Sequence, residues 1–289
     1  MPTNQTQRFL LENLDIRGAW VRLDTAWQGL CAGRNYPSPV SELLGEMTAV
    51  SVLLAANLKQ AGRLTFQIQG SGPVSLLVID CDEQLRLRGM ARHGQAIAPA
   101  AAPVPVPELL GHGQLALTLD TVGLKQPYQS LVPLEGDTIG AIFEHYLTQS
   151  EQQPTRLILA ARPDRVVGLF LQALPGAHEK DPDGWNRVNL LANTLKADEL
   201  FDTAVADLLP RLFPEDDVRL YEPRPVTHHC PRDPEKIHAM LRSLGRDECE
   251  AALREQGEIH VHDDLCGHDY RFDAATLHAV FEAPEHRFH

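Results

Sequence analysis

The sequence lacks the features of membrane and secreted proteins. No run approaches 18 consecutive apolar residues, since Glu42, Glu46 and Asn57 interrupt the longest candidate, so no membrane-spanning helix is predicted. The first seven residues show no basic stretch followed by an apolar one, which argues against a signal peptide. The five cysteines are scattered and do not form a disulfide framework. We therefore expect the chain in the cytoplasm.

Basic residues are fewer than acidic residues. The chain has 26 lysines and arginines against 39 acidic residues, which gives a formal net charge of −13. This charge argues against nucleic acid or an anionic membrane as the main partner. A chain of 289 residues is nevertheless long enough to bury a sizeable core and to divide into two units.

Changes of hydrophobic period predict helices and strands in residues 1–175. Apolar residues recur at helical spacing from Val40 to Leu58, and the pattern then alternates from Leu64 to Gly70 as in a strand. The apolar run at 74–80 and the alternation at 85–89 complete a predicted antiparallel meander, with one face on the helix. Further predictions are an extended Pro/Ala connector at 97–107, a strand at 115–119, a helix at 139–152 and a strand pair at 156–174.

The remaining residues predict a linker and a small terminal unit. Residues 176–226 read as a helical linker, with helices at 185–195 and 197–209. Residues 227–289 hold nine of the 13 histidines and three of the five cysteines. A unit of that size buries little core and often needs a metal or another cross-link. The predicted fold class is α+β, with a sheet-and-helix domain at 1–175 before the linker.

Two stretches of the terminal unit look like halves of a metal site with one ligand missing from each. They are Cys230-Pro231-Arg232 and Asp263-Asp264-Leu265-Cys266. With cysteine at positions 232 and 263, the segment would read C-x-C, thirty residues, C-x-x-C. Four thiolates in that pattern close a tetrahedral structural zinc site.

Short segments match one known family, in the same order, along nearly the whole chain. They are RFLLENLDIRG at 8–18, VRL at 21–23, LTFQIQGSGP at 64–73, LRLRG at 85–89, YQSLVPL at 128–134, WNRV at 185–188, GEI at 257–259, CG at 266–267 and YRF at 270–272. Through these segments the sequence closely resembles the redox-regulated 33-kDa heat-shock chaperonin family of bacteria. So many separate matches are far more specific than any single motif.

The resemblance implies a holdase, a chaperone that binds unfolding proteins under heat or oxidative stress and prevents their aggregation. It implies unfolded clients as partners, a homodimer in the active form, no nucleotide and no enzymatic activity. The sequence agrees in having no G-x-x-x-x-G-K-[ST] phosphate loop. In the family, four tail cysteines hold zinc in the reduced, inactive protein. Oxidation forms two local disulfides, releases the zinc, unfolds the tail and exposes an apolar surface.

This sequence departs from the family at that switch. The first and fourth family cysteines correspond to Cys230 and Cys266. The second corresponds to Arg232, a fixed cation that cannot bind zinc. The third corresponds to Asp263, whose carboxylate is a possible but harder ligand than a thiolate. Three alternatives follow. In the first, the C-terminal domain, which resembles a zinc-binding redox switch, binds no metal. In the second, it holds zinc through Cys230, Cys266, Asp263 and a histidine. In the third, the two thiols form a redox pair without metal. The candidate histidines are His228, His229, His262 and His268.

In the third alternative, oxidation would stabilise the folded tail. Sulfurs on one zinc lie about 3.8 Å apart, so if the family's tail fold persists, Cys230 and Cys266 need only a small adjustment to bond. Such a bond closes a loop of about 37 residues and stabilises the folded tail by roughly 4 kcal/mol. Oxidation would then lock the tail, so we expect impaired redox switching and a constitutive or heat-activated holdase.

A second function class stays open at this point. A thiol- or metal-dependent enzyme, or a metal-sensing module, could use the Cys/His-rich tail, with His229-Cys230 as the candidate reactive pair. The other thiols are expected to be inert. Cys81 ends an apolar run and is predicted to be buried, whereas Cys249 stands among acidic residues and is predicted on a solvated helix face.

Overall fold

The computed structural model describes residues 3–58, 61–94, 97, 104–121 and 126–282. Contacts between α carbons divide the chain into two compact units, residues 1–229 and residues 230–289. We call them the first unit and the second unit. The mixture of sheets and helices confirms the predicted α+β class. The finer division into 1–175, 176–226 and 227–289 stays a prediction.

The first unit is built of two sheets and several helices. Its elements, in chain order, are β1 (Gln5–Leu11), β2 (Ile16–Leu23), α1 (Thr25–Cys31), α2 (Ser38–Ala55), β3 (Gly62–Gly70), β4 (Val74–Cys81), β5 (Arg86–His93), α3 (Val106–Leu110), β6 (Gly113–Thr121), β7 (Tyr128–Pro133), α4 (Ile139–Glu151), β8 (Thr155–Arg162), β9 (Arg165–Ala173), α5 (Ala177–Lys180), α6 (Gly184–Ala192), α7 (Ala197–Asp202), α8 (Val205–Leu212), β10 (Val218–Leu220), β11 (Arg224–Pro225) and β12 (Thr227–His228). The first sheet has the strand order β10-β1-β2-β9-β8, with β11 also paired to β1. The second has the order β12-β5-β4-β3-β6-β7.

Helix α2 lies between the two sheets and forms the centre of the core. Its valines and all its leucines except the partly buried Leu54 are buried. Its two buried hydroxyls, on Thr48 and Ser51, each donate to the carbonyl oxygen four residues earlier at 2.7 Å. Their polar groups are therefore satisfied inside an apolar environment. By length and composition Ser38–Ala56 would also suit a membrane span, but 78% of that window is buried inside the unit, as expected of a core helix.

The first sheet is apolar on both faces. On β2, Ala19 and Val21 pack in the core around α2, whereas Ile16 and Trp20 belong to a second apolar cluster. This division follows from the alternation of side chains along a strand. Helices α6, α7 and α8 contribute to the second cluster. We call this side of the first sheet the outer face, and the three helices the helical cover.

The second unit has a small core of its own. Its elements are α9 (Pro234–Leu244), α10 (Arg246–Gln256), β13 (Ile259–Asp263), β14 (His268–Phe272) and α11 (Ala274–Glu282). Strands β13 and β14 form an antiparallel hairpin, and the three helices surround it with a cluster that includes Leu241, Phe272 and Leu277. Cys249 belongs to this cluster and is only 3% exposed. The predicted solvated position was wrong, because Cys249 faces the core with Leu253 while its acidic neighbours occupy other sides of α10.

Most of the predicted elements of the first unit are confirmed. The helix predicted at 40–58 is α2, the meander is β3-β4-β5, and the strand pair of 156–174 is β8 and β9. The helix predicted at 197–209 is wrong in one respect: it is broken between α7 and α8, where Thr203 and Ala204 are extended. The break lets both short helices turn apolar residues toward the outer face. Of the predicted connector at 97–107, residues 98–103 lie outside the described residues.

Candidate functional site

The first candidate site lies where the start of the second unit meets its hairpin. Cys230 stands shortly before α9, and Cys266 stands in the turn between β13 and β14. The hairpin register pairs Asp263 with His268 on either side of that turn. Gly267 completes the turn with a φ of 70°, a left-handed conformation that glycine adopts without steric cost.

A disulfide joins Cys230 to Cys266. Their α carbons lie 5.5 Å apart, within the usual range for a bridge. Beside it, His268 Nε2 lies 2.7 Å from the Cys230 carbonyl oxygen. The structure therefore brings together the two thiols that the sequence offered as a redox pair. That they exchange electrons in the cell stays a prediction.

Arg232, at the position where the resemblance implies a second cysteine, connects the same two segments without a metal. Its guanidinium donates to the Asp269 carbonyl oxygen at 2.9 Å and lies 5.5 Å from the centre of the Tyr270 ring. The Tyr270 hydroxyl in turn accepts a hydrogen bond from the Asp233 backbone N–H at 2.9 Å. A hydrogen bond and a cation–π contact thus stand in the place of a thiolate–zinc bond.

Asp263, the predicted oxygen ligand, is engaged in its own turn. Its Oδ1 accepts hydrogen bonds from the backbone N–H groups of Leu265 at 3.1 Å and of Cys266 at 3.4 Å. An aspartate that caps the backbone two and three residues ahead is a common way to stabilise a tight turn. The carboxylate therefore shapes the loop that presents Cys266.

His262, the predicted histidine ligand, lies on the exposed face of the hairpin. Its Nδ1 and the Nε2 of His260 both lie 2.8 Å from Oδ1 of Asp269. The alternate residues of the same strand, Ile259 and Val261, pack against the core instead. Hydrogen bonds with His262 and then with His260 lower the pKa of Asp269, so this carboxylate stays charged to unusually low pH.

These residues do not fit a zinc ion as they are arranged. Both sulfurs are bonded to each other in the disulfide. The Asp263 carboxylate accepts hydrogen bonds within its own turn, and His262 is hydrogen-bonded to Asp269. Across the described residues, no group of three or more histidine, cysteine, aspartate or glutamate side chains is placed to hold a metal ion. The ligand set Cys230, Cys266, Asp263 and His262 stays a prediction that concerns the reduced protein.

The other three thiols are shielded rather than activated. Burial raises the pKa of Cys31 to about 12, and burial, followed by the charges of Asp82 and Asp80, raises the pKa of Cys81. Burial and the charge of Glu248 raise the pKa of Cys249. Because the thiolate is the reactive form, these shifts make the three free cysteines poor nucleophiles. Cys230 of the candidate His229-Cys230 pair is held in the disulfide.

The second candidate site is the outer face of the first sheet. It carries Phe9, Leu11, Ile16, Trp20, Val167, Leu169 and Leu171, all buried beneath the helical cover. The cover supplies a matching set from three short helices, including Val188, Leu200, Phe201, Leu208 and Leu209. Among the described residues, the buried Trp20 Nε1 on the sheet and the Asn189 Oδ1 on α6 have no hydrogen-bond partner. A buried polar atom without a partner costs about 1–3 kcal/mol, which offsets part of the apolar gain of this closure.

A polar network fastens α6 to the rest of the first unit. Arg187 donates to both carboxylate oxygens of Asp216 at 2.9 Å, and Asn13 Nδ2 donates to the same carboxylate at 3.1 Å. The Asn13 side-chain oxygen accepts from the Asp217 backbone N–H at 3.1 Å. Sequence reasoning missed this network, because its members come from three distant segments and no local pattern marks them.

Comparisons with known proteins agree along nearly the full chain. The family model described as Hsp33 protein matches residues 4–273. The 33 kDa chaperonin of Chromobacterium violaceum is 40% identical over 281 residues, covering 96% of this chain and 94% of the relative. That of Nitrosococcus oceani is 40% identical over 274 residues, covering 95% and 93%. The crystal structure of the 33 kDa chaperonin from Thermotoga maritima superposes with a TM-score of 0.84 at 22% identity, covering 96% of this chain and 98% of that one.

Proposed function

Because this chain belongs to the Hsp33 family, we propose that it is an ATP-independent holdase, which binds unfolding proteins under stress and prevents their aggregation. The observation that carries the proposal is the outer face. A broad surface of large apolar side chains is covered by three short helices rather than by a continuous layer of structure. Helices of six to nine residues are unstable alone and depend on their packing. Such a cover can leave the sheet without unfolding the core around α2.

The sequence of the second unit supports a trigger other than the two-disulfide release of four-cysteine relatives. Local disulfides would let the two halves of the tail separate. The Cys230–Cys266 bond instead links the start of the second unit to its hairpin, across a sequence separation of 36 residues. Oxidation in this chain therefore favours the folded second unit. Heat, which weakens the packing of the helical cover, is the activating stress that we propose.

The remaining properties follow from the same proposal. The partners are unfolded client proteins and, in the active form, a second copy of this chain. The net charge of −13 disfavours nucleic acid and anionic membranes, and the cytoplasm is the proposed location. We propose no enzymatic activity; the raised pKa values of the free thiols and the disulfide of Cys230 argue against a thiol-dependent enzyme. Metal analysis of the reduced protein tests whether Cys230, Cys266, Asp263 and His262 hold zinc.

The test is suppression of aggregation. Light scattering of a heat-unfolding client enzyme is followed with and without the full chain, in the absence of ATP, and an unrelated protein at the same concentration serves as control. We expect scattering to fall in proportion to the chain added and to be unaffected by ATP. Scattering that equals the control at every ratio of chain to client would refute the holdase function.

A further inference from the structure

One corner of the outer face is lined with arginine. The three residues are Arg22 on β2, Arg162 at the end of β8 and Arg165 at the start of β9. All three meet α7. Arg162 donates to Asp198 Oδ1 at 2.5 Å, and an Arg165 nitrogen lies 3.7 Å from Asp202 Oδ1. Arg22 donates to the Phe201 carbonyl oxygen at 3.0 Å.

The same corner holds an aromatic ring. Phe201 is 2% exposed, and the guanidinium carbon of Arg162 lies 4.0 Å from the centre of its ring. Leu200, the residue before it, is fully buried. Helix α7 therefore inserts an apolar pair and places one carboxylate three residues before the aromatic residue and another directly after it. A cation–π contact and two charge pairs are made by one short helix.

Removal of α7 would leave positive charge on this corner. Asp24 pairs with Arg22 at 3.1 Å and with Arg165 at 3.4 Å, and Asp164 lies 3.8 Å from Arg165. Asp24 and Asp164 would remain beside these guanidinium groups after the Asp198 and Asp202 carboxylates had left, on a chain whose net charge is −13. Arg162 would lose its Asp198 partner. An incoming apolar segment without acidic residues would bring these cations no carboxylate, whereas an acidic one would restore the lost ion pairs.

We propose that the uncovered outer face selects client segments that form short amphipathic helices, in which carboxylates flank an aromatic residue. The proposal rests on the holdase function, which supplies the uncovering, and it adds the class of client. The chain's own example of such a segment is Asp198-Glu199-Leu200-Phe201-Asp202, which occupies the site when the cover is closed. Clients compete with α7 for the same three arginines.

The probes are two fluorescent peptides. The first has the sequence of residues 196–213, and the second carries Asp198→Asn and Asp202→Asn. Their binding to the full chain is measured by anisotropy at a temperature at which the chain suppresses aggregation. We expect the acidic peptide to bind about threefold to tenfold more tightly at low salt, since two exposed ion pairs are at stake. The advantage shrinks as salt screens the charges. Equal affinities at low salt would overturn the proposal.

Matched variants separate charge recognition from a change in peptide helicity. Arg162→Gln combined with Arg165→Gln is expected to bring the affinity ratio of the two peptides close to one. A loosened cover changes both affinities together, so the ratio still reports the charge preference. The control, Arg254→Gln with Arg271→Gln, removes two exposed positive charges from the second unit and should keep the wild-type ratio. A preference that survives the first pair of substitutions contradicts the proposal.

Aggregation assays run in parallel distinguish the holdase function from the client preference. Suppression of aggregation with equal peptide affinities leaves the holdase function standing and rejects the client preference. Failure to suppress aggregation, together with no binding of either peptide, rejects both.

Discussion

Arg187 and Asp216 form a two-pronged ion pair in which the aspartate side chain is completely buried. Both hydrogen bonds measure 2.9 Å, and the Arg187 side chain is 28% exposed. Arg187 lies on α6 of the helical cover, and Asp216 lies in the loop that follows α8. The pair thus closes the cover at both ends, in the segment that we propose to leave the sheet.

Replacement of Arg187 should open the cover at lower temperature. Arg187→Gln leaves the buried Asp216 carboxylate without its cation, and we expect a loss of about 2 kcal/mol in the stability of the closed state. The temperature at which the chain begins to suppress aggregation should fall accordingly. Arg211→Gln, at an exposed position of α8, is the control for loss of charge. An onset temperature unchanged by Arg187→Gln would show that this pair does not hold the cover.

The disulfide should stabilise the second unit and should not activate the chain. Under oxidising conditions Cys230→Ser is expected to lower the free energy of unfolding of the second unit by about 4 kcal/mol, the chain-entropy value for this loop. In reductant the variant and the wild type should be nearly equal. Denaturant unfolding followed by a probe in the second unit measures both, with Cys31→Ser as the thiol control.

Holdase activity tests the same bond from the functional side. Peroxide should leave the onset temperature of the wild type unchanged or raise it. Holdase activity that appears with peroxide in the wild type and disappears in both Cys230→Ser and Cys266→Ser would contradict the locking role.

Periodicity predicted the parts of the fold that are decided locally. The helix from residue 40 and the alternating strands that follow it each bury one consistent face, so local pattern and tertiary structure agree. The break at Thr203–Ala204 could not be predicted from periodicity, because it depends on how the two short helices pack against the sheet. Cys249 misled for a related reason: its acidic neighbours indicated solvent, although a helix turns each successive residue to a different side.

The candidate site was predictable only in part. The resemblance to a four-cysteine family drew attention to Cys230 and Cys266, and the structure joins them. Asp263 stays a predicted metal ligand of the reduced protein, whereas the turn that its carboxylate caps was not predicted from the sequence. Contacts such as that of Arg232 with Tyr270 depend on two segments meeting in space, which no spacing in the sequence expresses.

Glu46 should make the first unit less stable as the pH rises. It lies on the core helix α2, where burial and then the charge of Glu42 raise its pKa from 4.5 to about 7. The folded state therefore holds a proton that the unfolded state releases above pH 4.5. The stability that this proton confers is fully present below pH 4.5, is lost as the pH rises through about 7, and is absent at higher pH.

Glu46→Gln should remove this dependence. At pH 8 we expect the variant to be more stable than the wild type by up to about 3 kcal/mol, and near pH 4.5 the two should be similar. Thermal unfolding across this pH range measures the difference, with the exposed Glu179→Gln as control. A constant difference between the two proteins at every pH would show that Glu46 does not titrate as described.

Restoring the two missing cysteines should restore the family's switch. Arg232→Cys with Asp263→Cys rebuilds the C-x-C and C-x-x-C pairs around Cys230 and Cys266, whose α carbons already lie 5.5 Å apart. Four thiolates in tetrahedral geometry bind zinc far more strongly than two thiols and a carboxylate of the turn. We expect one zinc per chain in the reduced variant by metal analysis, and holdase activity that now rises with peroxide. The matched control is Arg232→Ser with Asp263→Ser, which removes the same cation–π contact and turn cap without adding thiols. If the serine variant gained the same response, the lost Arg232 and Asp263 contacts would be the cause, and zinc would play no part in the release.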